Sequence, residues 1–150
     1  MNFDMIIQII TGALGSLGFA LLFGLKKKYL VSEALGGALG WGLYLLGEKL
    51  FDGDIFLACL LASAFCALYS EIVARVQKAP TTLFFITSVV PLIPGSTLYY
   101  TFSHAVAGDA TKASYYGTRT LKYALAIAAG SCIVWAITLI IDAVKKQKKT

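Results

Sequence analysis

The chain has 150 residues, of which 58% are hydrophobic and only 14% are charged, and its formal net charge is +5. A soluble domain of this size carries about a quarter charged residues, whereas the mean hydropathy here is +0.76. These values exclude an ordinary water-soluble fold and predict an all-α integral membrane protein, with residues 1–150 forming a single membrane domain.

Five apolar stretches are candidates for membrane-spanning helices. The first follows Asp4 and precedes three lysines, which fits a retained span rather than a signal peptide, whose positive charges come first. The second contains Glu33 and the third contains Glu71 near one end, so both acids are expected to lie within snorkelling distance of an interface. The predicted spans are residues 5–25, 30–46, 55–74, 83–103 and 123–141, followed by a basic cytoplasmic tail, 142–150.

Basic residues are distributed unevenly between the two sides of these spans. Five spans place the termini on opposite sides, and the side richer in lysine and arginine is expected to be cytoplasmic. We therefore predict an N-terminus outside and a C-terminus in the cytoplasm of a cell-membrane protein that contacts lipid and no nucleic acid. The richer side receives nine of the thirteen basic residues: Lys26, Lys27, Lys28, Arg75, Lys78, Lys145, Lys146, Lys148 and Lys149.

Small residues recur every four positions in three of the spans, which favours close helix packing in lipid. The neighbouring helix can belong to the same chain or to another subunit, and the pattern does not distinguish the two. The stripes are Ser32, Gly36 and Gly40; Ala58, Ala62, Cys66 and Ser70; and Ala124, Ala128, Cys132 and Ala136.

The fourth span is interrupted at Pro91, Pro94 and Gly95, where a plain spanning helix would continue. A proline inside a helix costs about 3 kcal/mol. At 1.5 Å per residue from Thr81, Pro91 lies about 15 Å deep, near the middle of a 30 Å hydrocarbon core. Backbone groups freed at that depth must be buried in protein or line a wet cavity.

A second half-helix opened by Pro94 would present backbone amides at mid-membrane, with the positive end of its dipole behind them. Discontinuous transporter helices hold a substrate carboxylate in this way. The alternative is a simple kink filled by a neighbouring helix. The predicted substrate-binding residues are Pro91, Pro94, Gly95, Ser96, Thr97, Tyr99 and Tyr100, with one of the two tyrosines expected to line the cavity.

Four charged residues are candidates for coupling or gating, and each also has a structural interpretation. Glu71 and Arg75 have the i,i+4 spacing of a helical ion pair. Glu33 can pair with Lys28, snorkel to the interface or carry a proton. Asp109 is suited to cap a short helix ending at Tyr116, or to carry a proton or meet Arg119 and Lys122 at the outer mouth.

The sequence contains no pattern that indicates an enzyme, a cofactor site or a metal site. Cys59, Cys66 and Cys132 all fall within spans without CxxC spacing, so they are interpreted as small packing residues. His104 is the single histidine. Phosphate-cradling and nucleophile motifs are absent from the sequence.

Three segments between residues 61 and 120 have a distinctive sequence: residues 70–80 (SEIVARVQKAP), 91–101 (PLIPGSTLYYT) and 108–120 (GDATKASYYGTRT). Through these segments, residues 61–120 resemble the smaller domain of the threonine/serine exporter family. The middle segment is the most specific, and the first 25 residues carry no such signature.

This resemblance implies a half-transporter that works with a larger companion, fused or on a separate chain. Members export threonine and serine, and some two-chain members are associated with export of dicarboxylates such as succinate. The resemblance also implies coupling to the proton gradient. Two other interpretations stay open: a non-transporting scaffold subunit and a small homo-oligomeric passive pore.

Overall fold

The computed structural model describes residues 3–147, and all the regular elements in this part of the chain are helical. The predicted tail residues Lys148 and Lys149 lie outside the described residues. The α-helices are α1 (Phe3–Leu22), α2 (Leu30–Leu50), α3 (Ile55–Gln77), α4 (Thr81–Val89), α5 (Gly95–Val106) and α6 (Ala110–Gln147), with 3₁₀ turns at Lys27–Tyr29 and Val90–Leu92.

The helices confirm the predicted membrane class and the broken fourth span. Helices α1, α2, α3 and α6 are each long and apolar enough to cross a membrane. Helices α4 and α5 qualify only as a pair, and they are bent by 57° at their connection. The described chain therefore has four candidate spans, or five when the bent pair counts as one.

The ends of the helices follow from local backbone chemistry. Helix α1 ends before Gly24, whose φ of +68° is a left-handed conformation that glycine adopts without strain. The side chain of Asp54 caps α3 by accepting hydrogen bonds from the amides of Phe56 at 2.8 Å and Leu57 at 3.2 Å. Helix α3 ends at Gln77, and its C-cap residue Lys78 also has a left-handed backbone conformation.

Helices α3 and α6 run parallel, which fixes the direction of the bent pair between them. Ser63 donates a hydrogen bond to the carbonyl of Ala126 at 3.2 Å, and Arg75 contacts Asp142 at 2.9 Å further along both helices. The chain leaves α3 at one end of the bundle and enters the shared stretch of α6 at the other. The bent pair α4–α5 must therefore carry the chain from end to end.

Two of the three small-residue stripes pack inside the chain. In α2, a side chain added at Gly40 would lie 2.6 Å from the Cys66 sulfur of α3, and one at Gly47 would lie 3.0 Å from the Cα of Ala58. The third stripe is exposed, because α6 instead packs on α3 through a face that includes Gly130. The exposed stripe comprises Ala124, Ala128, Cys132 and Ala136.

Helix α6 is longer than the sequence predicts. The prediction of a short helix that ends at Tyr116 is wrong, because a single helix of 38 residues contains both this segment and the predicted fifth span, residues 123–141. Its length of about 57 Å exceeds the bilayer core of about 30 Å. The N-terminal part of α6 packs antiparallel against α5, and the two form a hairpin.

Candidate functional site

The break between α4 and α5 is a short irregular segment with defined hydrogen bonds. The amide of Ile93 donates to the carbonyl of Val90 at 3.1 Å, and the amide of Gly95 donates to the carbonyl of Ile93 at 2.8 Å. The Gly95 amide, predicted to face a ligand, is therefore engaged within the chain. Ser96 and Thr97 occupy the first turn of α5, where amides lack intrahelical acceptors.

Gly95 opens onto a groove along the outer side of α5. A side chain added at Gly95 would meet no atom within 4 Å, and the groove measures about 530 Å³. Tyr99 lies in this groove and is 67% exposed. Its lining consists of Gly95, Leu98, Tyr99, Phe102, Ser103 and Val106.

Pro91 lines a second space, a cleft of about 260 Å³ between α1, α2 and the break. The other lining residues are Gln8, Thr11, Gly12, Gly15, Trp41 and Val90. The Trp41 indole donates a hydrogen bond to the side-chain amide oxygen of Gln8 at 3.3 Å. Gln8 and Thr11 were not predicted as site residues. The available signal was their spacing, since two polar residues three positions apart on an apolar span share one helix face.

The predicted substrate-binding residues are thus divided between different surroundings. Pro91 faces the cleft, whereas Gly95 and Tyr99 face the groove. The hydroxyl of Thr97 points toward α6 and accepts a hydrogen bond from Thr120 at 3.0 Å. Pro94 is the N-cap residue of α5, and Ser96 is exposed.

Tyr100 packs against α6 rather than lining the groove. Its ring centroid lies 5.2 Å from that of Tyr116, and the His104 ring stacks on Tyr116 at 5.6 Å. These rings join α5 to α6. Of the two tyrosines that follow the break, Tyr99 is the one that borders the open space.

The prediction that Glu33 snorkels to the interface is wrong, because its side chain is 0% exposed inside the bundle. The hydroxyl of Thr87 in α4 donates a hydrogen bond to one carboxyl oxygen of Glu33. The other carboxyl oxygen and the hydroxyl of Ser88 are buried without a hydrogen-bond partner among the described residues. Lys28, a predicted ion-pair partner of Glu33, lies over the Tyr29 ring, with its ammonium 4.7 Å from the ring centroid.

Glu33 is buried because small residues draw α4 close to this face of α2. A side chain at Gly36 would collide with the hydroxyl of Ser88 and would lie 2.9 Å from the Tyr69 ring. The Tyr69 hydroxyl donates to the carbonyl of Ser32 at 2.7 Å and holds α3 against the same turn. Thr87 and Ser88 were not predicted as site residues, because the sequence of one span does not show which residues of another helix it contacts.

Arg75 joins two acidic side chains at the end of the bundle where α3 finishes. Its guanidinium lies 3.6 Å from Glu71, as the i,i+4 spacing predicts, and 2.9 Å from Asp142 of α6. Asp142 was not predicted as a partner. All three groups are in part exposed, so the cluster ties α3 to α6 only weakly.

Asp109 caps α6, as predicted, although the helix continues far beyond Tyr116. Its carboxylate accepts a hydrogen bond from the Lys112 amide at 3.0 Å and forms an ion pair with the Lys112 ammonium at 3.1 Å. These contacts lower the pKa of Asp109, the backbone hydrogen bond most of all. Arg119 instead donates to the Tyr115 hydroxyl at 2.7 Å.

A bundle of membrane-spanning helices with one span interrupted beside open clefts is an architecture of membrane transporters. The comparison with known families agrees. The threonine/serine exporter (ThrE) family profile matches residues 8–137, which is most of the chain. The chain belongs to this family and is a transporter component of the threonine/serine exporter type. No solved structure matches it.

Proposed function

We propose that the chain is one subunit of a secondary exporter that carries threonine, serine or a small dicarboxylate such as succinate across the cell membrane. It acts with the larger companion subunit that the family resemblance implies. The observation that carries the proposal is the break itself. It interrupts an apolar span and places an open glycine, Gly95, at the start of a new helix.

The chemistry of the break suits a carboxylate. The first-turn amides of α5 belong to Ser96 and Thr97, and the positive end of the helix dipole adds to their attraction for an anion. Gly95 leaves space for a ligand to approach the backbone. Amino acids and dicarboxylates both carry a carboxylate, so this contact would serve either class of substrate. Other surfaces of the transporter would recognise the rest of the substrate molecule.

The open surface of α5 supports a requirement for a companion subunit. Helix α5 has no buried residue and packs within the described chain against α6. Ser96 and Ser103 are exposed on it, beside the break. Lipid tails cannot satisfy polar backbone and side-chain groups, so a protein surface or a water-filled cavity must cover this side.

Transport assays with and without the companion test the proposal. Purified protein would be reconstituted into vesicles loaded with radiolabelled threonine or succinate, either alone or with the companion chain. We expect efflux only from vesicles that contain both chains, because the groove beside Gly95 is closed by the partner.

Robust transport by the chain alone would contradict the two-subunit proposal and favour a homo-oligomeric pore. Stable assembly of both chains without transport of either substrate would favour a scaffold. Vesicles with the companion alone provide the control for transport that does not depend on this chain.

A further inference from the structure

We infer that Glu33 carries the coupling proton of the exporter and that Thr87 transmits its protonation state to the end of helix α4. The inference rests on the proposed transport function. It starts from the position of Glu33, an acid buried completely inside a membrane-spanning bundle. Acidic residues in such positions mark ion or proton pathways.

The surroundings of Glu33 suit a neutral carboxyl group better than a carboxylate. Glu33 forms no ion pair within residues 3–147. A single hydroxyl, that of Thr87, donates to it in this part of the chain, and its second oxygen has no partner. An uncompensated buried carboxylate is costly, so release of the proton requires the site to change its surroundings or admit water.

Other titratable groups near Glu33 are few. From α3, Tyr69 interacts with it electrostatically, and the buried thiol of Cys66 points to the carbonyl of Ser88. Helix α4 has no titratable side chain, and α1 has only Asp4, in its first turn. The lysines of the two adjacent connections, at positions 26–28 and 78, are exposed. The other acids of these neighbouring helices are Asp4 in α1 and Glu71 in α3, and Glu71 pairs with Arg75.

Thr87 can respond to the proton because its hydroxyl has three acceptors within reach. Besides Glu33, these are the carbonyl of Leu83 at 3.0 Å and that of Phe84 at 3.2 Å. A hydroxyl donates one hydrogen bond at a time. When Glu33 is ionised, the Thr87 hydroxyl donates to the carboxylate. When Glu33 is neutral, the carboxyl O–H donates to the Thr87 hydroxyl oxygen. The Thr87 hydroxyl then donates to a backbone carbonyl of α4, that of Leu83 or Phe84.

This exchange occurs in the last turn before the break. Pro91 lies four residues after Thr87 and has no amide hydrogen, so the Thr87 carbonyl loses its usual helical donor. The hydroxyl of neighbouring Ser88 is buried without a partner in the described chain. Within residues 3–147, the last turn of α4 therefore has hydrogen-bonding groups without partners next to Glu33, and the 3₁₀ turn that contains Pro91 follows it.

The variant Glu33→Gln separates coupling from substrate movement. It keeps the size of the side chain and an oxygen that accepts from Thr87, but it cannot release a proton. Both subunits would be reconstituted in sodium-free potassium buffer. With threonine and with succinate, we would measure accumulation driven by an imposed pH gradient, and exchange of labelled for unlabelled substrate without a gradient.

We expect Glu33→Gln to lose gradient-driven accumulation and to retain exchange. Glu48→Gln, the same change in the same helix, should retain both. Accumulation at the wild-type rate by Glu33→Gln would overturn the inference, and so would loss of exchange by a variant that assembles and melts like the wild type. A wild-type pair that exchanges neither threonine nor succinate would instead refute the proposed function.

Thr87→Val gives a second, independent readout. It removes the hydroxyl that stabilises the carboxylate and preserves the shape of the side chain. The charged form of Glu33 becomes less favourable, so the midpoint of the pH dependence of accumulation should move about one unit to higher pH. An unchanged midpoint or a shift to lower pH would contradict a proton carried by Glu33. Wild-type accumulation that appears only after sodium is added to the buffer would contradict it as well.

Discussion

The replacement Gly95→Leu tests whether the break binds substrate or only bends the chain. Leucine is accepted by lipid and by helices, and no atom lies within 4 Å of the position that its Cβ would occupy. The fold should therefore tolerate it. Glycine to leucine in an exposed helix position changes helix stability by at most about 1 kcal/mol, in favour of leucine.

The expected loss of binding follows from the hydrogen bonds that the leucine would block. A hydrogen bond to a charged group contributes about 1.5–3 kcal/mol. Each tenfold change in affinity corresponds to about 1.4 kcal/mol, so one blocked contact between the carboxylate and the Ser96 or Thr97 amide should weaken binding about tenfold to a hundredfold.

The measurement needs the assembled pair of subunits. Co-purification would report assembly, and substrate affinity and efflux would be measured on the reconstituted complex. Gly18→Leu is a matched control, because Gly18 also has no neighbour within 4 Å and lies on α1, outside the groove and the cleft. It should assemble and transport like the wild type.

Two results would refute the reasoning in different ways. Normal transport by Gly95→Leu would show that the segment is a packing kink and that the substrate binds elsewhere. Loss of assembly by Gly95→Leu, with Gly18→Leu unaffected, would show that Gly95 contacts the companion subunit, which favours the scaffold interpretation.

Three further predictions follow from the fold. Single cysteines would replace Asp4 and Lys145 in a background without the native cysteines. They should react with an impermeant maleimide from opposite faces of the membrane, Asp4→Cys from outside. Reaction of both cysteines from the same face would contradict five spans. Gly130→Ala should lower the free energy of unfolding by about 1–3 kcal/mol, because the added methyl group overpacks α6 against α3. Gly117→Ala, whose added Cβ would have its nearest contact at 3.4 Å, should not lower it. Equal effects of the two variants in a denaturant titration would refute this prediction. Alanine at both prolines of the break should let the helix continue and abolish efflux with assembly intact.

Apolar run lengths and helix breakers predicted most of the fold. The runs located the spans, and the two prolines located the break. The continuity of α6 was missed because Lys112, Arg119 and Lys122 suggested that the chain had left the membrane. Charge marks the end of the hydrocarbon region and does not end a helix. Between Ala110 and Gln147 the sequence has no proline, and the helix runs through.

The candidate site was less predictable, because its contacts join distant helices. Glu33 lies one turn from the start of α2, a position from which an acid can reach the interface. Its burial depends on Gly36, which admits α4, and on Thr87, 54 residues away, which supplies the hydrogen bond. In the same way, the sequence of α1 does not show that Gln8 lies beside the break, whereas in the folded chain Gln8 and Pro91 line the same cleft.

The break connects α4, which packs inside the bundle, to α5, which is exposed. This difference makes the break a candidate hinge between the two helices. On one side, Thr87, Ser88, Val89 and Leu92 are buried against the bundle. On the other, α5 has no buried residue and is held by α6. Hinges between packed elements are short segments that absorb backbone rotation, and Ile93 and Pro94 lie outside both helices. If protonation of Glu33 changes the hydrogen bonds in the last turn of α4, we expect the angle between α4 and α5 to change. Such a change would alter the cleft at Pro91 and the groove at Gly95 together.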